Sequence, residues 1–140
     1  MNYNDRINIL KVRLSESIVV MDGAMGTSIQ VLDLTPEDFG GFEFEGCNEY
    51  LNITRPDVVH KILENYAESG ADILETNSFG STPLVLAEYG LGEQAHEISF
   101  AAASIARRVA DERSGSQRSL YVAGSMGPTT RAISVTGGVT

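Results

Sequence analysis

The chain has 140 residues, 42% of them hydrophobic, which is the size and make-up of one ordinary globular domain. Acidic residues outnumber basic ones 19 to 10, and the resulting net charge of −9 argues against a nucleic-acid interface, which needs a basic face. No apolar run approaches the roughly 20 residues of a membrane span and the N-terminus lacks a signal-peptide pattern, so a cytoplasmic location is the default expectation.

In chain order, residues 5–16, "DRINILKVRLSE", place Ile7, Leu10 and Leu14 at helical spacing and predict a short amphipathic helix. Next, "IVVM" from Ile18 to Met21 is a continuous, β-branched apolar run, the pattern of a strand buried on both faces of a parallel sheet. Asp22 and Gly23 follow at once. Residues 32–52 mix glycines, acids and aromatics without either period and predict an irregular excursion, of the kind that is functional or disordered in compact domains.

In "TRPDVVHKILENYAESG", Val58, Val59, Ile62, Leu63, Tyr66 and Ala67 fall on one helical face. Pro56 suits the first turn, Thr54 with Asp57 has the form of a capping box, and Gly70 supplies the stop. "ADILETN" then predicts a strand from Ala71 to about Thr76, followed by the turn-rich "NSFGSTP". Residues 92–113 carry Ala95, Ile98, Ala102, Ile105, Ala106 and Val109 on one face of a long helix, with Arg107, Arg108 and Arg113 toward its C-terminal end. "SGSQ" at 114–117 breaks it, and "SLYVAG" at 119–124 is a third strand that opens into "SMGPTT".

This alternation indicates an α/β architecture with a parallel sheet. Three strands do not close a barrel, a TIM barrel takes about 250 residues, and "TGGVT" at 136–140 reads as the start of another loop. The expected fold is therefore the first half of a (β/α)8 barrel, about three βα units with an N-terminal helix, incomplete as a barrel.

The three strand ends read "MDGAMGT" (21–27), "ETNSFGST" (75–82) and "AGSMGPT" (123–129). Each sets small or polar residues beside glycine, and in parallel α/β folds ligands bind outside the carboxyl ends of the strands. They are candidates for one pocket rim, although ordinary turn chemistry produces the same residues. Asp22 reads either as a ligand for a substrate ammonium or as the N-cap of a turn beginning near Ala24, and Asn77 either as a pocket donor or as an Asx turn. There is no Walker or G-x-G-x-x-G loop. His60 and His96 each sit within a predicted helix and belong to no metal motif, which makes them helix-face residues. The lone Cys47 can form no internal disulfide, cannot by itself build a structural zinc site, and has no basic neighbour to activate its thiol.

"VVMDGAMGTSIQ", "GCNEYLNITRPDVVHKILENYAESGADILETNSFGST" and "YVAGSMGPT" resemble, in order and spacing, the first half of the homocysteine S-methyltransferase domain. Within that family they are most similar to the homocysteine-binding module of the cobalamin-dependent methionine synthases, with "GCNEYLN" favouring that branch over the betaine-using one. The resemblance makes residues 1–140 the N-terminal part of the homocysteine-binding barrel. It implies a methyltransferase that passes a methyl group from methylcobalamin, recharged by 5-methyltetrahydrofolate, to a homocysteine thiol activated on zinc, and so implies folate and cobalamin modules as partners. The family's zinc ligands are cysteines of the second half of the barrel. Cys47 matches none of them, so no metal or catalytic residue is carried over and the segment alone is expected to bind no stoichiometric zinc and to be inactive. Substrate binding is carried over to Asp22, Gly23, Ala24 and Met25 in the first loop and to Thr76 and Asn77 in the second. Self-association through exposed strand edges is a further expectation. The alternatives are a homocysteine methyltransferase using betaine or S-methylmethionine, a non-catalytic small α/β binding module, and a regulatory or structural remnant of the enzyme.

Overall fold

The computed structural model describes residues 3–115 and 118–129. The end of the "SGSQ" break and the "TGGVT" stretch lie outside the described residues. Its helices are α1 (Tyr3–Glu16), α2 (Met25–Gln30), α3 (Leu51–Thr54), α4 (Pro56–Glu68), α5 (Pro83–Leu86) and α6 (Ala95–Arg113), and its strands are β1 (Ile73–Glu75) and β2 (Tyr121–Ala123). β1 and β2 pair in parallel, with Ile73 opposite Tyr121, Leu74 opposite Val122 and Glu75 opposite Ala123.

The core follows from two helical faces. Val59, Ile62 and Leu63 of α4 and Ile105, Ala106 and Val109 of α6 are buried together with Leu74 of β1 and Leu120 just before β2. Burying each large aliphatic side chain is worth about 1.5–3 kcal/mol, so this stripe holds both helices on the sheet. A second cluster joins Cys47, Leu86, Leu91, Ala95 and Ile98, and it anchors the segment before α3 against the start of α6. Outside the core, Arg113 of α6 pairs with Glu64 and Glu68 of α4.

The stop of α4 has the expected chemistry. Gly70 takes φ 110°, its N–H donates to the Ala67 carbonyl and that of Ala71 to the Tyr66 carbonyl, the paired bonds of a Schellman ending. Arg118 adds a side-chain donor to the same carbonyl of Ala67. The start of α4 differs from expectation. Thr54 is the last residue of α3 and gives its hydroxyl to the Tyr50 carbonyl, while Asp57 receives the Arg55 guanidinium through two bonds, so no capping box forms.

The run Ile18–Met21 also differs. It approaches β1 in parallel through one bridge, Met21 to Ile73, with the Val20 carbonyl accepting from the N–H groups of Asp72 and Ile73. Its side chains are not buried on both faces: Ile18 is 89% exposed and Val20 51%. Among the described residues no strand pairs with the outer edge of this segment. Asp72, buried at the start of β1, ties the edge to the rest: it accepts from the Val20 N–H (3.1 Å) and from Arg13 of α1 (2.7 Å).

Candidate functional site

The three strand ends meet. A cleft of about 290 Å³ opens at the carboxyl end of the sheet, lined by Asp22, Gly23, Met25 and Gly26 from the first loop and by Glu75, Thr76, Asn77 and Phe79 from the second. Ser125 contributes from the third, with Asn48 and Glu49 from the segment before α3. Five of the six residues singled out in the sequence thus share one cavity. Ala24 is the exception: it is exposed, and its backbone turns into the left-handed region (φ 49°) to launch α2. Such a conformation is uncommon for a residue with a Cβ and is found disproportionately at functional turns.

Asp22 is not a helix cap. Its Oδ1 accepts from the Glu75 N–H at 2.9 Å, across the sheet end, while its own N–H donates to the Ile73 carbonyl, and α2 has no side-chain cap. Burial pushes the Asp22 carboxyl up to about 6; the Glu75 N–H works against this and the Glu75 charge adds to it. A carboxylate kept ionised at some cost in a half-buried cleft is suited to receiving a cation.

Thr76 and Asn77 are built into the frame. The Ser125 N–H donates to Thr76 Oγ1 (2.9 Å), and Ser78 Oγ, 2.6 Å from Thr76 Oγ1, donates to the Ser125 carbonyl (2.8 Å). Because a carbonyl cannot donate, the Ser78 proton goes to Ser125 and the Thr76 proton to Ser78, which closes a ring joining the second and third loops. Asn77 gives its amide hydrogens to the Asn48 carbonyl (2.8 Å) and to Asn52 Oδ1 (3.3 Å), and its own carbonyl accepts from Asn52 Nδ2 (2.7 Å). It is therefore not an Asx turn, and the group it can still offer the cleft is Oδ1.

The third loop also docks by backbone. The Gly127 N–H donates to the Phe79 carbonyl at 2.9 Å, and a Cβ at position 127 would stand 2.6 Å from that oxygen and 2.7 Å from the ring. Only glycine allows this approach. It fixes Phe79, whose half-exposed ring forms the apolar wall of the cleft.

The segment before α3 is the part sequence reasoning missed. Glu49 reaches the cleft with its Oε1 accepting from the Gly80 N–H at 2.8 Å. The available signal was "GCNEYLN", whose buried Cys47, Leu51 and Asn52 alternate with the cleft-facing Asn48 and Glu49. Cys47 itself packs in the second core cluster, and burial pushes its thiol up to about 11. His60 lies on α4 beside Glu112 of α6, 2.9 Å away, and His96 stacks on Phe100 along α6.

The family model described as homocysteine S-methyltransferase matches residues 19–139, nearly the whole chain. The chain belongs to the homocysteine S-methyltransferase family. It is 51% identical over 118 residues to a methionine synthase of Mycobacterium tuberculosis (strain ATCC 25618 / H37Rv) and 48% identical over 118 residues to that of Mycobacterium leprae (strain TN). Each match covers 84% of this chain and 10% of the relative, so the chain spans about a tenth of the length of these methionine synthases. Its fold is similar to that of the homocysteine methyltransferase MmuM from Escherichia coli. The oxidized form superposes with a TM-score of 0.70 at 25% identity, over 85% of this chain and 40% of MmuM, and the metallated form with a TM-score of 0.66 at 24% identity. As a member of the homocysteine S-methyltransferase family, the chain contributes an α/β segment whose loops gather at one cleft.

Proposed function

We propose that this segment forms the first three βα units of a (β/α)8 barrel in a methionine synthase and holds the amino-acid end of homocysteine in the cleft. The observation that carries the reading is the convergence of Asp22, Glu75 and Asn77 at one half-buried cavity built from three strand ends. Asp22 and Glu75 present negative charge to the substrate ammonium, and Asn77 Oδ1 is a further acceptor. Met25 and Phe79 supply apolar surface for the methylene chain that leads to the sulfur. The roughly 50% identity to two methionine synthases supports this donor class over betaine or S-methylmethionine.

The reaction forms a sulfur–methyl bond, breaks the bond between the methyl group and its donor, and releases the thiol proton. The donor is methylcobalamin, recharged by 5-methyltetrahydrofolate on modules beyond this segment. The zinc that the family resemblance implies does not fit here. No three His, Cys, Asp or Glu side chains are gathered for a metal among the described residues, and the Cys47 thiol is buried and held protonated. No step is therefore assigned to a metal on this segment, whose part is to bind and orient the substrate.

Titration of the isotope-labelled chain with L-homocysteine tests the reading. Backbone signals of Asp22, Glu75 and Asn77 are expected to shift saturably in wild type and not in Asp22→Ala, whereas shifts confined to residues outside the cleft would refute it.

A further inference from the structure

Where Asp22 stands depends on the register of the run Ile18–Met21 against β1, and side-chain packing holds that register weakly, because Ile18, Val20 and Met21 are all exposed. Hydrogen bonds join the two instead. The Val20 carbonyl accepts from the N–H groups of Asp72 (2.7 Å) and Ile73 (3.1 Å), and the Asp22 N–H donates to the Ile73 carbonyl (3.0 Å). Such backbone bonds do not select one register, since a parallel ladder shifted by two residues remakes them. The consequence of a slip is large: one residue would carry Asp22 about 3.3 Å along the sheet and turn its side chain to the opposite face.

Side chains do select it. Among the described residues, the run is tied to residues 72–75 by two carboxylates, one at each end: Asp22 Oδ1 accepts from the Glu75 N–H (2.9 Å) and Asp72 Oδ2 accepts from the Val20 N–H (3.1 Å). A slipped strand would lose both. Asp22 lines the cleft, whereas Asp72 does not. We propose that Asp72 is a positioning residue for the amino-acid site, a clamp that sets the register of the first strand and through it the place of Asp22. This rests on the homocysteine reading above, in which Asp22 receives the substrate ammonium.

The clamp is itself held from two elements. Asp72 is buried; Arg13 of α1 donates to its Oδ1 at 2.7 Å, and Arg118, just before β2, brings its Nε to 3.7 Å from the same oxygen while donating to the carbonyls of Ala67 and Ala71. Both guanidiniums thus sit on Oδ1, which leaves Oδ2 for Val20. An ionised oxygen takes an N–H more strongly than a neutral one does, so the pairing with arginine keeps the clamp charged and strengthens its hold on the strand. It also gives α1, which contributes nothing to the cleft lining, a link to the site through Asp72 and Val20.

The test is a double-mutant cycle in the full-length enzyme proposed to carry this segment, with homocysteine KM and kcat measured for wild type, Asp72→Ala, Asp22→Ala and the double variant, and a thermal melt of each. Asp72→Ala is expected to raise KM about tenfold, the worth of the ammonium contact it misplaces, and to leave kcat unchanged. In the Asp22→Ala background it is expected to raise KM no further, because the group it positions is already gone. Asp72→Asn, which keeps an acceptor for the Val20 N–H, is expected to recover part of the loss; it carries the same comparison where Asp72→Ala does not fold. A KM unchanged by the Asp72 variants, or rises that multiply in the double variant, would overturn the assignment while leaving the homocysteine reading intact. An Asp22→Ala KM equal to that of wild type would remove that reading and this assignment with it.

Discussion

At the scale of single residues, the charge on Asp22 is held against the cost of burial. Its carboxyl is raised from 3.8 to about 6, so the folded chain binds its proton more tightly than the unfolded chain does. The stability contributed by that proton is full below about pH 4 and is lost as pH rises through 6. Asp22→Asn keeps an acceptor for the Glu75 N–H and removes the charge. Thermal melts at pH 7 are therefore expected to show the variant at least as stable as wild type, with wild type gaining on it as the pH falls from 7 to 4; a parallel pH dependence of the two would contradict the burial of this charge. That Asp22, Thr76 and Asn77 lie at one cleft was legible in the sequence because the point where a strand-like apolar run meets small polar residues marks the carboxyl-end rim of a parallel sheet. How their atoms are spent was not, because the ring through Ser78 and Ser125 and the bonds from Asn77 to Asn48 and Asn52 join residues 25–49 positions apart.

At the scale of elements, the loops are held by buried polar side chains as well as by apolar packing. Asn52 is buried and donates to the carbonyls of both Glu49 and Asn77, locking the segment before α3 onto the loop after β1. Asn52→Ala leaves those carbonyls and the Asn77 amide short of partners and is expected to cost about 2–3 kcal/mol in urea unfolding; a loss near zero would mean that water replaces the side chain. The long helices α4 and α6 were readable because each repeats the 3.6-residue period over several turns. The short helices α2, α3 and α5 span 6, 4 and 4 residues, too few to establish a period, and they form only where the tertiary structure holds them. The Ile18–Met21 run shows the converse: its composition is that of a buried strand, but burial depends on neighbours that composition does not supply.

At the scale of the whole molecule, two features set the behaviour of the chain: an apolar edge and a cleft. The edge carries Ile18, Val20 and Met21, all exposed, next to backbone groups that no strand of the described residues pairs. Sedimentation velocity is expected to show association that grows with concentration and is weakened by Val20→Lys; a monomer at every concentration would mean that the edge is protected. In the proposed function the cleft holds the substrate, with Asp22 receiving its ammonium there. The most direct measurement is the homocysteine KM, with zinc content, of the full-length enzyme proposed to carry this segment, before and after Asp22→Ala. The KM is expected to rise at least about tenfold, the loss of one charge-assisted contact, with zinc unchanged because the proposed function places no zinc ligand on this segment. An unaltered KM, or a loss of zinc in step with activity, would contradict it.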